Sequence, residues 1–241
     1  MIHVKNLTIR FEETIALCDF SFSFNEGIIY GVVGRNGAGK SSLLQGITGL
    51  ADDFEGTVSF NGKDLVADRQ IIKGLIGYTP EEAVLLPYLT GREYLELIAV
   101  LRKVPNAIDE INELLTNLGL KNVEYGIIDD YSHGMQKKLS LAAAFLGNPN
   151  YMLIDEGLNG LDPQGLSYAI DRLKTLIHKR HTVILTSHDF ELIADLCEHI
   201  IVLDKGKKIK EYLKSDINTI ETDGGDTFRE KFRKLLQDFP Y

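Results

Sequence analysis

The stretch "IIYGVVGRNGAGKSS" (28–42) decides the fold class. Its opening is a short apolar run that closes on glycine, the pattern of a strand buried on both faces. Its remainder, from Gly34 to Ser42, sets glycines at 34, 37 and 39 beside Lys40, Ser41 and Ser42. So bare a backbone lets successive N–H groups turn inward and cradle phosphate oxygens. A lysine at this place reaches the outer phosphates, and the Ser41 hydroxyl can ligate magnesium. The residues that follow, "KSSLLQGITGL" (40–50), carry apolar positions at helical spacing, so the positive end of a helix points at the same spot. Strand, glycine loop and helix together predict a nucleotide-phosphate site in an α/β protein. Kinases, GTPases and ATPase motors all use such a loop.

Before this stretch, "IHVKNLTIRF" (2–11) alternates loosely and "FSFSF" (20–24) alternates cleanly, which predicts antiparallel strands. Beyond it, from about 80 to 149, the pattern is mostly helical: "GREYLELIAVLRK", "AIDEINELLTNLGL" and "GMQKKLSLAAAFLG". Strands and helices then alternate. "YMLID", "TVILTS" and "HIIVLD" read as strands, and "PQGLSYAIDRLKTLIHKR" and "DFELIADLC" as helices. "DKGKKIKEY" (204–212) reads as a turn into an edge strand, "TDGGDT" (222–227) as a loop, and "FREKFRKLLQDF" (228–239) as a terminal amphipathic helix. The layout is α/β with a helical insert between two strand-rich halves.

The 241 residues are enough for one large domain with a sizeable core. A net charge of −9 disfavours a nucleic-acid partner, which calls for a basic patch. Cys18 and Cys197 lie far apart and match no metal spacing, so two reduced thiols are expected. The uncharged run "LSLAAAFLGNPNYMLI" (139–154) is too short and too polar to span a bilayer, and the first residues lack a secretory signal. The expectation is a cytoplasmic protein whose contact with a membrane, if any, runs through a partner.

"YMLIDEG" (151–157) is an apolar strand ending in two acids. Asp155 would hold magnesium through its water shell, and Glu156 could polarise an attacking water. Strands often end in solvated acids, so the pair alone decides little. Its surroundings decide more: "YSHGM" (131–135) upstream, "GLNGLDP" (157–163) downstream, and "TSH" (186–188) closing the next strand.

With these residues in place, the chain resembles the nucleotide-binding subunit of an ATP-binding-cassette (ABC) transporter over about residues 1–212. "YSHGM" occupies the place of the family's signature LSGGQ and keeps Ser132 and Gly134. "YMLIDE" matches the Walker B strand, "NGLD" the D-loop with Asp162, and His188 the switch histidine. The resemblance implies a mixed-sheet core around the phosphate loop, an N-terminal antiparallel β subdomain, a helical subdomain over about 80–149, and a short extension over 213–241. It implies ATP and Mg2+ as ligands. ATP would be held by Phe11, Gly34, Asn36, Gly37, Ala38, Gly39, Lys40, Ser41, Ser42 and Asp162, and by Ser132 and Gly134 of the signature closing over the nucleotide of a paired cassette. Glu156 and His188 would be catalytic, with Ser41, Glu81 and Asp155 on the metal side.

Several positions depart from the family pattern. His133 and Met135 replace a glycine and a glutamine of the signature. Gly157 stands where a proline usually follows the catalytic glutamate, which predicts a looser turn. Phe11 takes the place of an aromatic, often tyrosine, that stacks on adenine; its ring can stack but brings no hydroxyl. In "IGYTPEEAVLLPYLTGREYLE" (76–96), Glu81 stands where the family has glutamine. The "PEE" run and the "YSxGM" signature are similar to exporter-type subunits, including multidrug and antibiotic-resistance transporters. With only a short extension read after Tyr212, the β-rich regulatory domain of many sugar-importer subunits is not expected.

The resemblance therefore implies an ATPase that pairs with a second cassette, as homodimer or heterodimer, and powers a membrane-spanning permease from the cytoplasmic face, as an exporter. A soluble ABC ATPase of DNA maintenance or translation is the other class. The first usually carries a long coiled-coil or zinc insertion and the second two cassettes, so neither class is the expected one for this sequence.

Overall fold

The structure, a computed structural model, describes residues 1–187 and 189–215. The loop at 222–227, the terminal helix expected at 228–239, and His188 lie outside the described residues. In chain order the elements are β1 (Ile2–Phe11), β2 (Thr14–Phe24), β3 (Ile29–Val33), α1 (Lys40–Thr48), β4 (Phe54–Phe60), β5 (Lys63–Asp64), α2 (Arg69–Leu75) and β6 (Ile76–Thr79). They continue as α3 (Gly91–Leu101), α4 (Ala107–Asn117), α5 (His133–Phe145), β7 (Tyr151–Asp155), α6 (Pro163–His178), β8 (Thr182–Thr186), α7 (Phe190–Leu196), β9 (His199–Asp204) and β10 (Lys207–Leu213).

Two sheets carry the fold. A four-stranded antiparallel sheet has the order β2-β1-β4-β5, and a six-stranded sheet has the order β10-β9-β3-β8-β7-β6. The larger sheet is parallel from β9 to β6, and β10 closes its edge antiparallel to β9, as the turn-and-strand pattern at 204–212 predicts. Strands β3, β7 and β8 are buried at every residue. Side chains alternate between two cores because strand periodicity is two. Ile29, Met152, Ile154, Val183 and Leu185 face the core shared with α3 to α6. Tyr30, Tyr151, Leu153 and Ile184 face the core shared with α1 and the antiparallel sheet. At about 1.5–3 kcal/mol for each fully buried large apolar side chain, this double burial is the main force holding both layers to the sheet. The chain is therefore an α/β protein with a mixed sheet, an N-terminal antiparallel sheet and a helical insert.

Local chemistry sets the helix starts. Thr90 and Glu93 form a reciprocal capping box at α3. Ser132 caps α5, Asp162 caps α6 ahead of Pro163, and Asp189 caps α7. The insert is tied together by Arg92 of α3, which donates to the buried Glu124 carboxylate at 2.5 Å and to Asn112 of α4 at 2.6 Å. Lys121 adds a second ion pair to Glu124 at 2.8 Å, and the two cations hold that carboxyl below its usual range against its burial.

Candidate functional site

The chain leaves β3 at Gly34 and enters α1 at Lys40, and both glycines flanking this loop are required by space. A Cβ at Gly34 would lie 2.3 Å from the Leu203 carbonyl oxygen. Gly39 has φ +98°, and a Cβ there would lie 2.5 Å from the Ala16 carbonyl oxygen. The loop is thus clamped from outside by the start of β2 and by the β9–β10 turn, where Gly206 N–H donates to Ala38 O at 3.1 Å.

Unlike α3, α5, α6 and α7, helix α1 has no side-chain cap, and no acidic residue lies in its first turn. Its first N–H groups and positive dipole end are left for an anion. Residues Asn36 to Ser42 line a cleft of ≈ 380 Å³ together with Thr14, Ile15, Ala16, Glu81 and Glu156. Of the residues expected to hold nucleotide, Asn36, Gly37, Ala38, Gly39, Lys40, Ser41 and Ser42 therefore converge on one concavity. Phe11 pairs with Thr14 at the β1–β2 hairpin and is 48% exposed. The hairpin residues lining the cleft are Thr14, Ile15 and Ala16, which sequence pattern does not single out.

Lys40 is buried, and its ammonium donates to Gly34 O at 3.0 Å and Arg35 O at 3.2 Å. It also lies 3.8 Å from Glu156 Oε1. The positive charge predicted from the loop and the carboxylate predicted from the β7 end thus meet across the cleft. Asp155 is buried and accepts from the Thr186 hydroxyl at 2.8 Å. That hydroxyl in turn accepts from Glu156 N–H at 3.0 Å. One threonine on the neighbouring strand thereby orients both acids. Glu156 has φ +53°, a left-handed backbone that costs an L-residue about 1–2 kcal/mol. The Glu156 carboxylate accepts from Asn159 Nδ2 at 3.4 Å, and Ser187 Oγ donates to Asn159 at 2.9 Å. Burial pushes the Tyr78 phenol up, and the Asp155 charge adds to the shift.

The donor set suits a magnesium nucleotide. Magnesium favours phosphate oxygens, water and few protein ligands. The Ser41 hydroxyl lines the cleft, and Asp155 is buried directly before the lining residue Glu156 without lining the cleft itself. Glu81 is exposed on the rim of the same cleft.

Ser132 and Gly134 stand elsewhere. Ser132 accepts from Met135 N–H at 3.3 Å as the N-cap of α5. Both residues are exposed, a Cβ at Gly134 would meet nothing within 4 Å, and neither lines the cleft. Asp162 caps α6 by accepting from Gly165 N–H at 2.9 Å and pairs with Lys138 of α5 at 2.8 Å. The Lys138 contact, then the Gly165 N–H, holds the Asp162 carboxyl below its usual range.

No helix among the described residues is long and apolar enough to cross a membrane. The model of the ABC transporter family matches residues 17–159. The uncharacterized ABC transporter ATP-binding protein YybJ of Bacillus subtilis is 32% identical over 86% of this chain and 94% of its own length. The Nod factor export ATP-binding protein I of Burkholderia orbicola is 30% identical over 87% of this chain and 70% of its own. The cassette MJ0796, solved as a dimer in a post-hydrolysis state with ADP and Pi, superposes with a TM-score of 0.77 at 25% identity, over 89% of this chain and 99% of that one. The cradle for a phosphate chain, the buried lysine and the paired acids are thus those of a known family: the chain belongs to the ABC transporters, as an ATP-binding cassette with ATPase activity.

Proposed function

We propose that this cassette works as one of a pair, on the cytoplasmic face of a membrane, and powers export through a separate membrane-spanning permease. The observation that carries the pairing is the separation just described. The anion site at α1 lies in the cleft, whereas Ser132 and Gly134 are exposed outside it. A second cassette placed head to tail would bring its own capped α5 N-terminus to the triphosphate, adding neutralising dipole to Lys40. ATP then joins the subunits, and hydrolysis removes the joining contact. Magnesium, when bound, would neutralise charge on the phosphate oxygens. Ser41, Asp155 and Glu81 are the residues that would face it, and Glu156 would take the proton of the attacking water.

Three features support export: the name of the Nod factor relative, the "YSHGM" signature, and Glu81 in place of glutamine. The surface for the permease would lie along 81–96, where Val84 is 80% and Tyr88 90% exposed. An exposed aromatic and an exposed aliphatic side chain in one segment suit an interface. The cassette is expected to co-purify with the membrane protein encoded beside it and to turn over ATP faster in that complex. Separation of the two at all nucleotide states, with turnover indifferent to the membrane protein, would overturn the transport reading.

Pairing has its own test. Ser132→Arg disables the signature side and His188→Ala the γ-phosphate side. Each alone is expected to cripple turnover. In mixed pairs both defects fall in one composite site and the other stays intact, so activity returns toward half of wild type. No recovery in pairs shown to form overturns the head-to-tail arrangement.

A further inference from the structure

Gly157 follows the left-handed Glu156, and the space where its side chain would stand is already filled. A Cβ there would lie 2.6 Å from Thr79 Cγ2, 3.1 Å from Ile154 Cγ2 and 3.3 Å from Thr79 Oγ1. Thr79 ends β6 and pairs in register with Ile154 of β7, so its side chain is delivered to the turn by the sheet itself. Its rotamer is fixed from the other side. Thr79 and Ser140 hydroxyls share a buried hydrogen bond of 3.0 Å, with Thr79 2% and Ser140 6% exposed. With the hydroxyl held by α5, the methyl is directed into the notch at Gly157.

Glu156 is therefore held on two sides. Its N–H is bound by Thr186, to the carbonyl at 3.2 Å and the hydroxyl at 3.0 Å. The residue after it is seated on the Thr79 methyl. A left-handed residue persists only where its neighbours over-determine it. The glycine thus does not loosen the turn, as its departure from the family pattern suggests; it makes the room that lets β6 grip the turn.

We propose that Thr79 and Gly157 form a complementary pair that positions the Glu156 carboxylate, so that the methyl and the missing Cβ must match for normal turnover. The proposal rests on Glu156 acting as the base. Neither Thr79 nor Gly157 lines the cleft, so both would act through Glu156.

The pair predicts opposite errors that cancel. Gly157→Ala overfills the notch and is expected to lower kcat about tenfold, while KM for ATP stays within about twofold, since the phosphate cradle is untouched. Thr79→Ser keeps the hydroxyl for Ser140 but empties the notch, and is expected to lower kcat about threefold. In Thr79→Ser/Gly157→Ala the alanine Cβ takes the place of the lost methyl, and kcat is expected to return to within about twofold of wild type, a coupling of the size that contacting residues show. Melting curves of each variant confirm that the folded state is being assayed. If Gly157→Ala does not fold, the double variant carries the test, because only it restores the volume. A wild-type kcat in Gly157→Ala, a double variant no faster than Gly157→Ala, or kcat and KM failing together overturns the proposal. Glu156→Gln assayed alongside separates the two readings. If it turns over normally, the base is elsewhere and the positioning role falls with it. If it is inactive while Gly157→Ala is unimpaired, only the positioning role falls.

Discussion

Lys40→Ala is expected to abolish ATP turnover and to weaken ATP binding by about three orders of magnitude. The lysine is 6% exposed, so its ammonium is screened from bulk water by the loop that carries it. That ammonium is shared among Gly34 O at 3.0 Å, Arg35 O at 3.2 Å and Glu156 Oε1 at 3.8 Å. A triphosphate entering at α1 offers this cation stronger anionic partners than carbonyl oxygens. A unit charge pair about 4 Å apart at an effective dielectric of about 20 is worth roughly 4 kcal/mol, and each 1.4 kcal/mol is tenfold in affinity. The loop glycines and the uncapped helix remain in the variant, so residual binding through N–H groups is expected, but without the charge that follows the γ-phosphate as it departs. Titration with a fluorescent ATP analogue and a phosphate-release assay read the two effects separately. Affinity and rate both unchanged, in a variant with a normal melting curve, would remove Lys40 from the phosphate site.

What the sequence makes legible, and what it hides, follows from where the information lies. The phosphate loop is local: Gly34, Gly39 and Lys40 lie within seven positions, and the strand before and helix after them carry distinct periodicities. Asp155 and Glu156 are legible because β7 is a continuous apolar strand whose end is marked by charge. The other walls of the cleft are not local. Ala16 presses on Gly39, and Gly206 closes over both, with Cys18 N–H donating to Gly206 O at 2.8 Å. Positions 16, 39 and 206 meet only because β1–β2 folds across the loop, so no window of sequence announces Thr14, Ile15 or Ala16 as lining residues.

Thr186 is visible as a strand end, but its role depends on register. It lies opposite Asp155 in the parallel β7–β8 pair, which puts its hydroxyl between the two acids. Elements β4, β5 and α2 are also hidden. The β1–β4 pairing shifts register between Lys5 and Thr8, and β4 shows little alternation of burial. Helix α2 buries Ile72 alone, too little for a helical period to emerge. The departure at Gly157 shows the same limit: read in the chain it is a missing proline, and read in the fold it is the seat of Thr79.

Glu156→Gln is expected to slow hydrolysis by about 10²–10⁴-fold while leaving ATP bound. The substitution keeps side-chain length and shape, and glutamine meets the same backbone demand at φ +53° as glutamate, so the turn should hold. What it removes is basicity, since an amide cannot accept the proton of the attacking water. It also removes a negative charge from the cleft, 3.8 Å from the Lys40 ammonium. Lys40 is then released toward the phosphates, and repulsion between carboxylate and triphosphate disappears. Both changes favour bound ATP, so affinity is expected to rise rather than fall. With the nucleotide tightly held and not consumed, the paired state has no exit, and an ATP-dependent dimer should accumulate. Light scattering with and without ATP reads the dimer, and single-turnover phosphate release reads the chemistry. Loss of affinity in step with loss of rate would mark Glu156 as part of the binding site instead. A variant that stays monomeric at saturating ATP and hydrolyses at the normal rate would place the base elsewhere in the cleft. Glu81 is then the next carboxylate to test, because it lines the same cleft.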